Sequence, residues 1–210
     1  MMMMEVHMSK KIFSKPSFIY AIKYSNPNLE GDSDSKIIHG LKEKIKTNQL
    51  VYDKRKSLYK IGKSVDPFNR FRLIKKDVNH PKKIYFSHIF DVSKNDNINK
   101  IDADCNNVLK IYEAYGEWVY GIPEEIISVL KKTLSTYTLS NTYEINSKAD
   151  ALCVKNKIKN QREIWKKEQV DLKYQQELRI HQLEKENREL KEKLNQIEND
   201  DTWNHNWGIH

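Results

Sequence analysis

The sequence predicts an α/β chain of the α+β kind, in which a small three-stranded antiparallel sheet flanked by helices precedes a long C-terminal coiled-coil helix. Three observations predict it. Three short segments alternate apolar and polar residues, helical patterns separate these segments, and residues 151–199 contain neither Gly nor Pro. The expected organisation is a disordered leader at 1–15, a domain at 16–133, a linker at 134–152, a coiled coil at 153–199 and a tail at 200–210.

The three strands are predicted from alternation. Residues 17–24 (SFIYAIKY) are rich in aromatic and β-branched side chains, and those on alternate positions share one side. Turn-forming residues fill 25–35 and end this strand. Residues 57–61 and 83–92 repeat the pattern and predict the second and third strands.

Helical periodicity fills the intervals between the strands. Apolar residues recur every three or four positions in 36–47 and in 95–112. Asp66 and Pro67 supply the cap and the first turn of another helix, and Pro123 begins a further one. The linker that follows is rich in Ser, Thr and Asn and leaves room for one more short strand.

Positive charge is concentrated in one stretch of the chain. The whole protein has a formal net charge of +8, whereas residues 36–83 alone hold 15 basic and 4 acidic side chains, a net charge of +11. A polyanion such as DNA is attracted to such a stretch, because each neutralised phosphate releases a condensed counterion. The alternative is a Lys-rich face that is only solvated. The candidate DNA contacts are Lys42, Lys46, Lys54, Arg55, Lys56, Lys63, Arg72, Lys75 and Lys76.

Other compositional features exclude several classes of protein. No apolar run approaches the roughly 18–20 residues that a membrane span needs, so no membrane partner is expected. The first residues lack the apolar core of a secretory signal, which favours an intracellular location. The two cysteines, Cys105 and Cys153, fit neither a disulfide framework nor a CxxC metal site.

The C-terminal segment predicts a coiled coil. An apolar stripe at steps of three and four residues runs through 180–197, and Asn187 occupies one a position, where Asn fixes register and oligomeric state. In a parallel pair, three neighbouring charge pairs between helices would be opposite in sign. The sequence therefore predicts a parallel homodimer through residues 180–197, with a single amphipathic helix packed on the domain as the alternative. The stripe consists of Ile180, Leu183, Asn187, Leu190, Leu194 and Ile197.

An ordered set of short motifs lies within the domain. In chain order these are Phe18-Ile19-Tyr20, then KIGKSVDPFNR from Lys60 to Arg70, then Gly116-Glu117-Trp118. Their order and spacing, over about 100 residues, resembles the GIY-YIG endonuclease superfamily. The set is most similar to its viral and phage branch, the Orf-type DNA-binding domain of a T-five-like phage.

This resemblance implies a fold and a chemistry. It implies a three-stranded antiparallel sheet and phosphodiester hydrolysis with one divalent metal, Mg²⁺ or Mn²⁺. Tyr20 would position or deprotonate the attacking water, and Arg70 would stabilise charge on the phosphoryl group. Tyr59 and Lys60 of the second signature complete the implied catalytic set. A carboxylate on the third helix would hold the metal ion.

The chain departs from the family pattern at three places. Phe18 replaces the first Gly, and the 39 positions between Tyr20 and Tyr59 indicate an insertion at about 25–56. An Asp stands in place of the metal-binding Glu. Helical geometry does not separate Asp102 from Asp104, but counting back 15 positions from the Glu of the last motif, as family members suggest, favours Asp102.

Simpler roles compete with these assignments. Tyr20 fits an ordinary core tyrosine, Arg70 is spaced to pair with Asp66, and Asp102 fits a solvated helix face. The leading interpretation is a DNA-binding protein with a GIY-YIG-like domain and a possible metal-dependent endonuclease activity. The alternatives are an inactive DNA-binding module and a viral or phage assembly protein that uses the coiled coil.

Overall fold

The computed structural model describes residues 15–25, 27, 36–76 and 83–206, and for residue 115 and residues 198–206 it describes the backbone alone. The chain divides into two compact units, Met1–Trp165 and Lys166–His210. Of the predicted leader, only Lys15 is described, and the end of the tail, 207–210, lies outside the described residues. Most of the predicted turn at 25–35 lies outside them too.

Six strands and five α-helices occupy the described residues. The strands are β1 (Phe18–Tyr24), β2 (Ser57–Ser64), β3 (Ile84–Asp91), β4 (Glu113–Tyr115), β5 (Trp118–Gly121) and β6 (Asn141–Glu144). The helices are α1 (Lys36–Lys46), α2 (Pro67–Lys76), α3 (Ile98–Leu109), α4 (Pro123–Leu134) and α5 (Lys148–Asn206).

The strands form one antiparallel sheet in the order β4-β5-β2-β1-β3-β6. The predicted three-stranded sheet is therefore wrong, because the structure is α+β with a six-stranded antiparallel sheet. The three predicted strands take the central positions. The added strands contain only three or four residues each, which is too short for alternation to show in a sequence. β6 lies within the predicted linker, where its side chains are mostly exposed.

Helices cover both faces of the sheet, and the pleat decides which strand residues meet them. We call the side that carries Tyr20 the first face. Its core includes Phe18, Tyr20 and Ile22 together with α1, α2 and the first turns of α5. The second face carries Tyr59 and Ile61, and α3 and α4 pack against it.

The first turns of α5 belong to the domain rather than to a separate coiled coil. Val154 and Ile158 are buried in the core of the first face. Arg162 forms an ion pair with Asp66, and the Gln161 side-chain amide donates to the buried carboxylate of Asp91 at 3.0 Å. The coiled coil predicted at 153–199 thus overlaps the first unit up to Trp165.

The second unit is helical through Asn206. All the apolar residues of its predicted heptad stripe are exposed, including Leu183 and Leu190. Among the described residues, no helix has both the length and the apolar character needed to cross a membrane.

Candidate active site

Tyr20 lies near the middle of the sheet, at a position where its neighbour has no side chain. It pairs with Gly62 across β1 and β2, and only 2% of its surface is exposed. A Cβ atom on residue 62 would lie 2.6 Å from the Tyr20 hydroxyl oxygen, closer than real Cβ contacts allow. Gly62 therefore leaves the space that the Tyr20 ring occupies.

Arg70 reaches this tyrosine from α2. The helix begins at Pro67, and the Asp66 carboxylate accepts the backbone N–H of Asn69 at 3.0 Å, which confirms the predicted cap. Asp66 forms its ion pair with Arg162, while the Arg70 guanidinium lies near enough to the Tyr20 hydroxyl to lower the pKa of Tyr20.

The electrostatics of Tyr20 favour its neutral form. Burial raises the pKa of Tyr20 above its ordinary value, and Arg70 only partly opposes that effect. The charges of Glu117 and Asp102 raise the pKa further. At neutral pH the side chain is therefore a hydroxyl that donates and accepts hydrogen bonds, not a phenolate.

Lys60 and Glu117 lie beside this pair. Lys60 is two positions from Gly62 along β2, so both lie on the first face, and its ammonium forms an ion pair with the Glu117 carboxylate. That contact, with a smaller contribution from Arg70, lowers the pKa of Glu117. In the motif, Glu117 serves only as the position from which Asp102 is counted. The glycine directly before Glu117 indicates a turn, from which a side chain can project. In the structure Gly116 has a φ of +54°.

Asp102 and Asp104 of α3 face different partners. The Asp102 carboxylate is 18% exposed and lies 3.2 Å from the Lys63 ammonium, whereas Asp104 accepts a hydrogen bond from the Tyr137 hydroxyl. Among the described residues, no hydrogen-bond partner reaches the buried Oδ1 atom of Asp102. Of the two candidates, Asp102 is the one whose charge acts on Tyr20.

The donors present limit how a metal ion could be held. Nowhere in the described part of the chain do three or more His, Cys, Asp or Glu side chains form a group able to hold an ion. Mg²⁺ often binds proteins through one or two carboxylates, with phosphate oxygens and water as its other ligands. The unpartnered oxygen of Asp102 fits binding through one carboxylate, and the described residues offer no site with three or more protein ligands.

Tyr59 does not belong to this cluster, contrary to the role that the motif implied for it. Successive residues of a strand point to opposite faces, so Lys60 lies on the first face and Tyr59 on the second. Burial strongly raises the pKa of Tyr59, and the nearby Ser87 opposes that effect only in part. Tyr59 and Lys60 are adjacent in the motif, and adjacent residues of a strand point to opposite faces of the sheet.

The predicted DNA contacts on α1 and α2 lie on helices that cover the first face. Lys46, Arg72 and Lys76 are exposed, and Lys42 and Lys75 are partly buried. The Arg72 guanidinium donates to the side chain of Asn69 at 3.0 Å, and the Lys75 ammonium lies 5.3 Å from the centre of the Phe71 ring.

The remaining predicted contacts are in the turn before β2 and on β2 itself. Arg55 is held by the carboxylate of Asp53, and this contact lowers the pKa of Asp53 to about 2. The Lys56 ammonium lies 5.5 Å from the centre of the Tyr120 ring. Lys54 is exposed, and Lys63 is paired with Asp102 as described above.

The cluster on the first face thus contains a neutral tyrosine, a guanidinium, an ammonium and the Glu117 carboxylate, contributed by separate elements. Asp102 lies on α3, which packs against the second face, and it acts on Tyr20 through its charge. The cluster provides hydrogen-bond donors and positive charge for an anionic group. No protein-family model, no curated protein and no solved structure matches the chain significantly.

Proposed function

We propose that this protein binds DNA and that its GIY-YIG-like domain hydrolyses phosphodiester bonds with a divalent metal ion. One observation supports the proposal above the others. Tyr20 lies 40 positions before Lys60 and 50 before Arg70, yet the three side chains lie in one cluster of the first face. Tyr59, the fourth residue of the implied catalytic set, lies outside it.

The chemistry follows from the charges of the cluster. The Arg70 guanidinium would donate to the equatorial oxygens of the reacting phosphate, where negative charge develops in the transition state. The protonated Tyr20 hydroxyl is suited to orienting the attacking water rather than deprotonating it, because its pKa is raised. Lys60 would add positive charge once a phosphate competes with Glu117 for it.

Asp102 is the residue that would hold the metal, through the oxygen that has no partner. A bound Mg²⁺ or Mn²⁺ polarises a phosphate and stabilises the leaving oxygen. Lys63 would keep the second carboxylate oxygen in place, since it lies 3.2 Å away.

The basic side chains of α1 and α2 support the DNA-binding part of the proposal. These helices cover the same face as Tyr20, and they carry Lys42, Lys46, Arg72, Lys75 and Lys76. Contacts of this kind are made to phosphates and are independent of sequence. The affinity for DNA is therefore expected to fall steeply as salt increases.

A supercoiled-plasmid nicking assay with Mg²⁺ or Mn²⁺ tests the activity. The parent protein should nick the plasmid and the Asp102→Ala variant should not. Asp104→Ala, on the same helix but bonded to Tyr137, is the matched control and should retain activity. If Asp102→Ala cuts as well as the parent, the metal assignment is wrong.

An inactive DNA-binding module is the second candidate, and two ion pairs favour it. Lys63 neutralises Asp102, and Lys60 neutralises Glu117, so both carboxylates already have a cation. This candidate predicts salt-sensitive DNA binding with no nicking in either metal. The absence of both activities would favour the assembly role.

We also propose that the protein is a parallel homodimer through residues 180–197. The apolar stripe of this helix is exposed in the single chain, with Leu190 at 62% and Ile197 at 60% exposure. Burying such a stripe in a coiled coil removes it from water. Sedimentation should give twice the 25.0 kDa mass of one chain, and the Leu183→Glu/Leu190→Glu variant should sediment as a monomer. A monomeric parent protein would contradict the proposal.

A further inference from the structure

A cavity lies along the edge of the sheet, and none of Tyr20, Lys60, Arg70 and Glu117 lines it. β6 covers β3 only from His88 to Asp91, so the preceding residues of β3 have no strand on that side. A groove of about 1200 Å³ follows this uncovered edge. Part of its wall is formed by residues of the second face, including Tyr59 and Lys131.

A β-bulge directs two polar side chains toward this part of the groove. The register between β1 and β3 shifts so that Ala21 pairs with His88 and Ile22 with Phe86, which leaves Ser87 as the extra residue. The Ser87 hydroxyl lies 2.7 Å from His88 Nδ1, and Ser87 lies near enough to Tyr59 to act on its pKa. Tyr59, Ser87 and His88 thus form a chain of neighbouring polar groups in the wall of the groove.

The end of this chain has no hydrogen-bond partner. The His88 side chain is 8% exposed, and its Nε2 atom meets no hydrogen-bonding group among the described residues. The nearest carboxylate oxygen, on Glu144, is 3.8 Å away, which is beyond hydrogen-bond distance. A buried polar atom of this kind costs free energy unless a ligand or water satisfies it.

The charge of the groove favours an anion. Five lysines line it and only two acidic residues do, Glu124 and Glu144. Lys131 lies close enough for its charge to lower the pKa of His88, and the Lys23 ammonium lies 6.0 Å from the centre of the Tyr59 ring. The five lysines are Lys23, Lys75, Lys131, Lys148 and Lys155.

Apolar surface next to these charges favours a ligand with a ring. Tyr85, 42% exposed, lies on the strand edge and lines the groove together with Pro123 and Ile127. Its ring offers a face for stacking, since aromatic groups pair by offset stacking. The groove is also large enough for a ligand of this size, because typical small-molecule sites enclose about 300–1,000 Å³.

We propose that this groove binds a free nucleoside phosphate, with the phosphate between Lys23 and Lys131, a hydrogen bond to His88 Nε2, and the base against Tyr85. The shared chemistry is a phosphate ester that carries an aromatic ring. A nucleotide within a DNA strand offers the same groups, but the groove is a recess at the sheet edge, and of the basic residues proposed to bind duplex DNA it shares only Lys75. The proposal does not depend on nuclease activity.

Isothermal titration of the full-length protein with AMP tests this site, with adenosine and inorganic phosphate as partial probes. AMP should bind more tightly than either part, and Lys131→Ala should weaken AMP binding at least about tenfold. Lys132→Ala, an exposed lysine on the same helix that does not line the groove, should leave it unchanged. Equal affinities in the Lys131→Ala and Lys132→Ala variants would overturn the proposal.

Two further measurements separate the possible sources of the ligand. The imidazole resonances of His88 in the unmodified protein should shift when AMP is added, a readout that needs no variant. A short single-stranded oligonucleotide is the competing probe. If the oligonucleotide binds with the same dependence on Lys131 while AMP does not bind, the ligand is nucleic acid and the proposal of a free nucleotide is wrong.

Discussion

Two buried tyrosines on neighbouring strands have opposite surroundings. Tyr20 faces a cluster of charged groups, where Arg70 lies near enough to lower its pKa and Gly62 leaves it room. Tyr59, 1% exposed, lies beside the hydrogen-bonded pair Ser87 and His88. The pleat of the sheet separates them, so a motif that names both residues combines groups from two different sites.

Removal of Arg70 should have the largest effect, because it is the group that would stabilise charge on the reacting phosphate. Arg70→Ala should lower the nicking rate by about 10²–10³-fold. Arg72→Ala, two positions away and bonded to Asn69, is the control and should weaken DNA binding while leaving the cleavage step unchanged. Equal losses of rate in the two variants at saturating DNA would remove Arg70 from the proposed mechanism.

The first turns of α5 help to cover the core of the first face. Ile158→Ala should destabilise the domain by about 3 kcal/mol, because the side chain is fully packed and a cavity remains. Leu190→Ala, in the exposed part of the same helix, should leave the stability of the domain unchanged. Urea unfolding, followed by the fluorescence of Trp118 in the core, measures both variants. A domain that is indifferent to Ile158→Ala would place α5 outside its core.

Filling the space at Gly62 should have a smaller effect than either of these changes. In Gly62→Ala the new Cβ would lie 2.8 Å from Tyr20 Cζ, so the ring must move. Overpacking of this kind costs about 1–3 kcal/mol, and the nicking rate should fall with it. Gly116→Ala is the control: nothing lies within 4 Å of its Cβ, and only its φ of +54° is strained. Gly116→Ala should cost about 1 kcal/mol and leave Tyr20 in place.

Replacement of His88 should have the smallest effect, a change in how the stability of the protein depends on pH. Burial and the charge of Lys131 hold the pKa of His88 below its ordinary value of 6.5, although Glu144 opposes them. The unfolded chain therefore binds a proton below about pH 6.5 that the folded protein does not, and stability falls as the pH decreases from there. Thermal melts between pH 7 and 5 should show a weaker pH dependence in His88→Gln. An identical dependence in both proteins would contradict this account of His88.

The sequence pattern predicted the three central strands but not the outer strands of the sheet. Five to ten residues of β-type pattern, at 17–24, 57–61 and 83–92, were enough to predict β1, β2 and β3. β4, β5 and β6 have three or four residues each, too few for alternation to be recognised, and their strand conformation depends on pairing with other strands. The packing of the first turns of α5 against the domain was not predictable for the same reason, because only tertiary contacts reveal that Ile158 is buried.

The candidate site was predictable in part. The ordered motifs were enough to group Tyr20, Lys60 and Arg70. The choice between Asp102 and Asp104 needed the structure, which shows that Asp104 accepts a hydrogen bond from Tyr137. Glu117 was missed as a functional group. The bulge that directs Ser87 and His88 to the groove leaves no pattern in the sequence, because it is defined by register between β1 and β3.

The most direct test of the account compares Tyr20→Phe with Tyr59→Phe in the nicking assay. Both variants remove one hydroxyl from a buried tyrosine, so their costs in folding are closely matched. The account predicts that Tyr20→Phe loses most of the metal-dependent activity and that Tyr59→Phe retains it. Activity that depends on Tyr59, or that survives without the Tyr20 hydroxyl, would contradict the placement of the active site on the first face.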